Sequence, residues 1–174
     1  METALISIIC IALLVFGGMT MSQGFMTSVD ASTAGLSEIS DRTETIMRTA
    51  LTPISTNISL VPGADLLEIV LENTGQTKMA DFDKWDVIVQ YYDDTGSYVV
   101  KWLPFSALSS GTNKWGVSWI RLNGETEQFE PNVLNPQEQI MIKTWLDPSV
   151  GANTTNMVVI STPSGISCST YFSP

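Results

Sequence analysis

An apolar run near the start of the chain constrains the fold most strongly, because it is long enough to cross a lipid bilayer. The run extends from Ala4 to Met26, and no Asp, Glu, Lys or Arg lies between Glu2 and Asp30. About 20 consecutive apolar residues span the hydrocarbon core as a helix. A helix that is apolar on every side must be surrounded by lipid or by other helices. The sequence therefore predicts a helix that does not stand free in water.

A second, amphipathic segment follows the apolar run without a break. Its apolar residues recur mostly at spacings of three, four and seven, which is typical of one helix face: Val29, Leu36, Ile39, Ile46, Met47 and Leu51. The first proline of the chain is Pro53, which cannot continue a helix. We therefore predict one helix over residues 1–52, about 75 Å long at about 1.5 Å per residue.

The charges around this helix fit neither a secretory signal peptide nor a simple anchor. A signal peptide begins with basic residues, and an anchor has a basic cluster on one flank. The first basic residue here is Arg42. We expect that this sequence is a mature chain from which a basic leader has been removed.

Residues 53–174 are predicted to form an immunoglobulin-like antiparallel β-sandwich, which makes the fold class α+β. Short segments of alternating apolar and polar residues are separated by turn residues such as Asn73-Thr74-Gly75 and Asn123-Gly124. Seven strands are expected: Leu66–Asn73, Trp85–Tyr92, Tyr98–Leu103, Trp115–Leu122, Gln139–Leu146, Met157–Thr162 and Ser167–Phe172.

Composition argues against several classes of function. A net charge of −10 with only 8 Lys and Arg argues against a nucleic-acid partner. With no histidine and two cysteines, the chain has no recognisable catalytic triad and no usual zinc or haem site. We therefore expect no enzyme, no catalytic or metal-binding residue and no cofactor. Cys10 lies in the helix, far along the chain from Cys168, and both are interpreted as small apolar residues rather than a disulfide.

Three minor patterns have both a functional and a structural interpretation. Asn57 and Asn153 begin Asn-X-Ser/Thr tripeptides in predicted loops and are possible N-glycosylation sites. The acidic segments 81–83 and 93–96 could hold calcium, but solvated turns are favoured because neither matches an EF-hand loop. The five tryptophans are expected mostly in the core or at its rim, with one or two as exposed subunit contacts: Trp85, Trp102, Trp115, Trp119 and Trp145.

Three segments carry a resemblance to a known superfamily. They are the helix from Ala4 onward, the segment Leu66–Gly75 followed by Phe82-Asp83-Lys84-Trp85-Asp86-Val87, and the ending Ile160–Ser167. Together they resemble the archaeal flagellins (archaellins) and the wider type IV pilin-like proteins. The chain departs from bacterial type IV pilins at Leu5, where those proteins have a glutamate, and has Glu2 instead.

The resemblance implies a structural subunit of an archaellum-type helical filament that serves swimming motility. Its partners would be copies of itself in a homopolymer, a prepilin-type peptidase, a membrane assembly platform and, before assembly, membrane lipid. The chain would move from the cytoplasmic membrane to an extracellular filament. Gly17, Gly18 and Gly24 would allow close helix packing or bending. The residues that would pack in the filament core are Leu5, Ile8, Ile9, Ile11, Leu13, Leu14, Val15, Phe16, Gly17, Gly18, Met21, Gly24 and Phe25.

Two alternatives share the same architecture. One is a subunit of an adhesive type IV-like pilus. The other is a membrane-anchored, stator-like β-sandwich that binds a partner while its helix stays in lipid. A secreted enzyme is a third class, but it would need a polar constellation that the sequence does not show.

Overall fold

The computed structural model describes residues 2–107, 111–127 and 129–174, with the side chain of Glu2 excepted. The chain divides into two compact units, residues 1–44 and residues 45–174. The elements are α1 (Glu2–Arg48), β1 (Leu51–Ser59), β2 (Asp65–Asn73), β3 (Asp86–Tyr92), β4 (Tyr98–Leu103), β5 (Trp115–Leu122), β6 (Glu125–Thr126), β7 (Gln139–Leu146), β8 (Asn156–Ser161) and β9 (Ser167–Phe172), with a 3₁₀ turn at Phe82–Lys84.

The helix ends earlier than predicted. α1 stops at Arg48, and the segment from Leu51, which includes Pro53, is the strand β1. A proline is tolerated there because β1 is an edge strand and its pairing with β2 is irregular between Pro53 and Ser55. The β-branched residues that follow, among them Ile54 and Thr56, favour an extended backbone. The predicted boundary at residue 52 was therefore wrong by four residues.

The strands form two antiparallel sheets, which confirms the predicted sandwich. One sheet has the order β1-β2-β7-β5-β6 and the other has the order β4-β3-β8-β9. All seven predicted strands are present, with ends that differ by no more than one residue. The sequence analysis missed β1, whose proline suggested a boundary, and the two-residue β6.

One hydrophobic core fills the space between the sheets. In β2, residues alternate strictly between buried and half-buried, and Leu67, Ile69 and Leu71 are completely buried. The four-stranded sheet contributes inward side chains such as Val89 and Tyr91 to the same core. This alternation of period two is what a sheet with one face on a core requires.

The two open sides of the sandwich differ. On one side β1 approaches β9, and the hydroxyls of Thr56 and Thr170 are hydrogen-bonded at 2.9 Å. On the other side β4 is the edge of its sheet, and among the described strands it pairs with β3 alone. Beyond β4 the chain crosses to β5, where Phe105 packs edge-to-face on Trp115 at 4.9 Å between ring centroids.

Candidate functional site

The apolar part of α1 is the first candidate functional region. It belongs to a 47-residue helix, about 70 Å long, that is long and apolar enough to cross a membrane. The predicted core-packing side chains are all exposed on this helix, from 50% for Ile9 to 81% for Met21. Gly17, Gly18 and Gly24 have no other group within 4 Å of a would-be Cβ, so a neighbouring helix could approach there.

Three hydroxyl groups in this helix are satisfied within it. The hydroxyls of Ser7, Thr20 and Thr27 donate to the carbonyls of Thr3, Gly17 and Gln23 at 2.9–3.0 Å. In lipid a polar group without a partner is costly, and such backward hydrogen bonds remove that cost. The helix can therefore be transferred into an apolar environment with these side chains in place.

The second region is the junction, defined as residues Thr45–Leu51 together with the turn Asn73–Thr77. Amides of this turn donate hydrogen bonds to carbonyls at and just beyond the end of the helix, which lack an intrahelical partner. The amide of Gln76 donates to the carbonyl of Arg48 at 2.7 Å, and the amide of Gly75 donates to the carbonyl of Ala50 at 3.2 Å. A Cβ on Gly75 would lie 2.5 Å from Ala50 N and 2.6 Å from Arg48 O, so only glycine allows this approach.

Asn73 organises the junction from inside the sandwich. It is completely buried. Its side-chain amide donates to the carbonyls of Thr77 at 2.8 Å and Leu134 at 3.0 Å, and its Oδ1 accepts the amide of Gly75 at 3.1 Å. The segment was predicted as a turn, and the sequence gave no indication that the same turn holds the end of the helix.

The third region is the aromatic edge, defined as the outward side chains Tyr92, Tyr98, Val100 and Trp102. These side chains are 43–58% exposed. The hydroxyl of Tyr98 donates to Gln90 Oε1 at 2.9 Å, and the indole N–H of Trp102 donates to Asp86 Oδ1 at 2.8 Å. The rings of Tyr92 and Tyr98 are 5.1 Å apart. These contacts fix the aromatic side chains while leaving their faces open to a partner.

The tryptophans divide largely as the sequence analysis expected. Trp85 and Trp115 are buried in the core, Trp119 and Trp145 are half-buried, and Trp102 is exposed at the aromatic edge. The guanidinium carbon of Arg121 lies over the ring of Trp119, 4.4 Å from the ring centroid. Trp102 is thus the tryptophan best placed for a contact with a partner.

The predicted glycosylation sites lie in different settings. Asn153 is an exposed residue between β7 and β8, with φ of 59°. Asn57 is exposed but lies within β1 opposite Glu68, so its placement in a loop was wrong. The missed strand β1 accounts for that error.

The two acidic segments are turns with local partners. Asp93 Oδ1 accepts hydrogen bonds from the amides of Thr95 and Ser97 at 2.9 and 2.8 Å, and it also accepts one from the Thr95 hydroxyl. The hydrogen bond from the Thr95 hydroxyl, followed by those from the amides, holds the Asp93 pKa below its ordinary value. Asp81 pairs with Lys84 at 2.7 Å. Within the described part of the chain, no three His, Cys, Asp or Glu side chains are grouped to hold a metal ion.

Both cysteines are free thiols. Cys168 packs against the core, and burial raises its pKa to about 11. A thiol with such a pKa has almost no thiolate at neutral pH and is a poor nucleophile. It therefore acts as an apolar packing group, as the sequence analysis interpreted it.

Comparison with known proteins gives a structural likeness. No protein-family profile and no curated protein sequence matches the chain. Among solved structures it is similar to the archaellum periplasmic stator protein FlaG from Sulfolobus acidocaldarius, with a TM-score of 0.51 and 19% identity over 71% of this chain and 99% of that chain. The sandwich resembles that of a stator protein. At this identity the likeness establishes the fold alone.

A second structure gives the same result. The archaellum periplasmic stator protein complex of FlaF and FlaG from the same organism matches with a TM-score of 0.50 and 19% identity, over 70% of this chain and 87% of that chain. Both structures are of stator proteins rather than archaellins.

Proposed function

We propose that this chain is a membrane-anchored, non-enzymatic β-sandwich protein of the stator type, acting in an archaellum-like machine. Its helix stays in the cytoplasmic membrane, and its sandwich binds partners outside the membrane. The structural likeness to archaellum stator proteins carries the proposal. The exposed apolar helix supports it, because such a surface requires lipid or other helices around it.

The junction suits a protein that holds a load. A stationary element must transmit force between the membrane and its outer domain. Here the last helical turn is joined to the core by main-chain hydrogen bonds from Gly75 and Gln76 and by the buried Leu51. Asn73 ties the same turn to the carbonyl of Leu134, a residue of the core. Within residues 45–174, the end of the helix is thus held to the sandwich by backbone hydrogen bonds.

The proposed partner is another β-sandwich protein of similar architecture. One of the similar structures is a complex of two stator proteins, FlaF and FlaG. By analogy, the sandwich of this chain would bind a related outer domain. The proposal includes no cofactor and no nucleic acid, since the chain is strongly acidic.

Cell fractionation after mechanical shearing tests the proposal. Filaments released by shearing are separated from membranes, and the chain is quantified in each by mass spectrometry. We expect the chain in the membrane fraction, with the sandwich cleaved by protease added outside the cell and the helix peptide protected. Recovery of the chain mainly in sheared filaments would refute anchoring.

The length of the helix favours a second candidate function, the filament subunit. A span needs about 20 residues, whereas α1 has 47. In that case copies would pack through Leu5–Phe25 into a filament core after cleavage by a prepilin-type peptidase, and the filament would serve swimming or adhesion. The same fractionation separates the candidates, because a filament subunit would be recovered as a polymer.

A further inference from the structure

The exposed edge of β4 has backbone groups available for another strand. The amide of Asp93 donates to the carbonyl of Ser97, which closes the β3–β4 hairpin. Hydrogen bonds in an antiparallel pair alternate along each strand, so the backbone groups of Tyr98, Val100 and Trp102 point away from β3. In the described part of the chain, no turn or loop hydrogen bond uses these groups.

The same three residues present an apolar surface beside the edge. Tyr98, Val100 and Trp102 are 56%, 57% and 58% exposed. Together with the neighbouring Tyr92, these side chains expose a surface area on the order of 350 Å² on one chain, given that a whole aromatic side chain has a surface of about 150–250 Å². Patches of about 300–600 Å² on a monomer are commonly functional. The fixed side chains of Tyr98 and Trp102 also lose little rotamer freedom when a partner binds.

Charge identifies the partner that fits this surface. The whole chain carries a net charge of −10, so two copies repel over most of their surfaces. The outward positions of β3, β4 and β8 contain one charged side chain, Asp86, and its Oδ1 accepts the indole N–H of Trp102. A second acidic copy that approaches this face therefore meets little of the charge that makes two copies repel elsewhere.

We propose that two copies of this chain pair through β4, antiparallel about a two-fold axis at Val100. The two four-stranded sheets would then form one sheet of about eight strands. Val100 would lie opposite Val100 of the second copy, and each Tyr98 would lie opposite a Trp102. The symmetric register allows about six inter-chain backbone hydrogen bonds and two cross-strand aromatic pairs. A two-fold axis is the usual symmetry of such self-complementary contacts.

The inward charge on β4 is compatible with this pairing. Inward-pointing charges commonly protect edge strands from added strands. Here the ammonium of Lys101 is bound by the carbonyl of Asp147 in its own chain, which takes the charge away from the edge. The Lys101 ammonium therefore has a hydrogen-bond acceptor within its own chain.

The contact area suggests that membrane anchoring would strengthen the pair. A stable soluble complex buries about 800 Å² per partner, more than the aromatic edge supplies, although flanking residues would add to it. Two sandwiches held at one membrane surface have a high effective concentration, which offsets a weak contact. In this respect the pairing rests on the proposed function, and the test is therefore made with the full chain in liposomes.

Disulfide cross-linking tests the register. Cys10 and Cys168 are replaced by alanine, and Val100→Cys is introduced into the full chain. Opposed residues of a hydrogen-bonded pair have Cα atoms about 5.5 Å apart, which suits a disulfide. We expect covalent dimers on mild oxidation with diamide. Ser55→Cys, an exposed residue on β1, is the matched control and should give few dimers. Equal dimer yields from both variants, or none from Val100→Cys, would overturn the proposal.

A second pair of variants separates pairing of the strands from association of the helices. Val100→Pro removes the outward amide at an edge position where proline is tolerated, whereas Val100→Thr keeps it. The dimer fraction is measured by single-molecule photobleaching in liposomes. We expect Val100→Thr to dimerise normally and Val100→Pro to dimerise roughly tenfold less, for two lost hydrogen bonds. Equal dimerisation of both would overturn strand pairing, while failure of the chain to sediment with liposomes would refute anchoring instead.

Discussion

Asn73→Ala should strongly destabilise the sandwich, because it removes three hydrogen bonds at a completely buried site. The carbonyl of Leu134 keeps a second donor, the amide of Met79, and the amide of Gly75 keeps a second acceptor, the carbonyl of Ala50, whereas the carbonyl of Thr77 loses its donor Asn73. A polar group that loses its partner in the interior costs about 1–3 kcal/mol. With one such group, two weakened contacts and a small cavity, we expect a loss of about 2–3 kcal/mol in the free energy of unfolding.

Urea unfolding of the full chain in detergent micelles measures this loss. All five tryptophans lie in the sandwich, so their fluorescence reports on that unit. At an m value of about 1–3 kcal/mol/M, the midpoint should fall by about 1–3 M. Asn57→Ala, at an exposed position of β1, is the control and should change stability by less than about 0.5 kcal/mol. A loss for Asn73→Ala no larger than that of the control would refute the role of Asn73 in holding the junction.

Three further predictions concern the junction, the acid response and the helix. Gly75→Ala should cost about 1–3 kcal/mol in the same assay because its Cβ would overlap Ala50 N, whereas Gly111→Ala, whose Cβ meets only side-chain atoms at 3.7 Å or more, should be near neutral. The pKa of Asp93 is lower in the folded state than its unfolded value of about 3.8, so this group stabilises the fold at pH values above 3.8 and the contribution is lost as pH falls through the folded pKa. Asp93→Asn should therefore flatten the fall in melting temperature between about pH 5 and 2. An unchanged slope would contradict this expectation. Leu14→Arg should reduce recovery of the chain in the membrane fraction, or abolish filaments if the second candidate function holds, while the sandwich keeps its tryptophan fluorescence. Leu14→Ile is the control. If both variants behave like the wild type, the helix has no role in membrane anchoring or in filament assembly.

Much of the sandwich could be predicted from the sequence because its strands alternate with period two. In β2 the apolar set Leu67, Ile69 and Leu71 is the buried set. The error at β1 arose because Pro53 breaks a helix and is also allowed in an edge strand, and only the pairing with β2 decides between the two. Pro53 alone therefore could not decide between the end of a helix and an edge strand.

The candidate sites were predicted less completely than the strands. The apolar helix was evident from composition, because it contains a long uncharged run. The junction was not, because the contact of Gly75 with the carbonyl of Ala50 joins segments that lie 25 residues apart. The aromatic edge was foreseen only as one or two exposed tryptophans. Its composition depends on which face of β4 lies outward and on β4 being the last strand of its sheet.

The contact between β1 and β9 limits how many copies the proposed strand pairing can join. Once two β4 edges meet, the outermost strand at each end of the joined sheet is β9. β9 lies next to β1, and the hydroxyl of Thr170 in β9 is hydrogen-bonded to that of Thr56 in β1. β1 itself contains Pro53 and pairs with β2 in an irregular register. Neither strand resembles β4 as an acceptor for another copy. The proposed pairing through β4 would therefore join two copies, because neither outer end of the joined sheet offers a third copy an edge like β4.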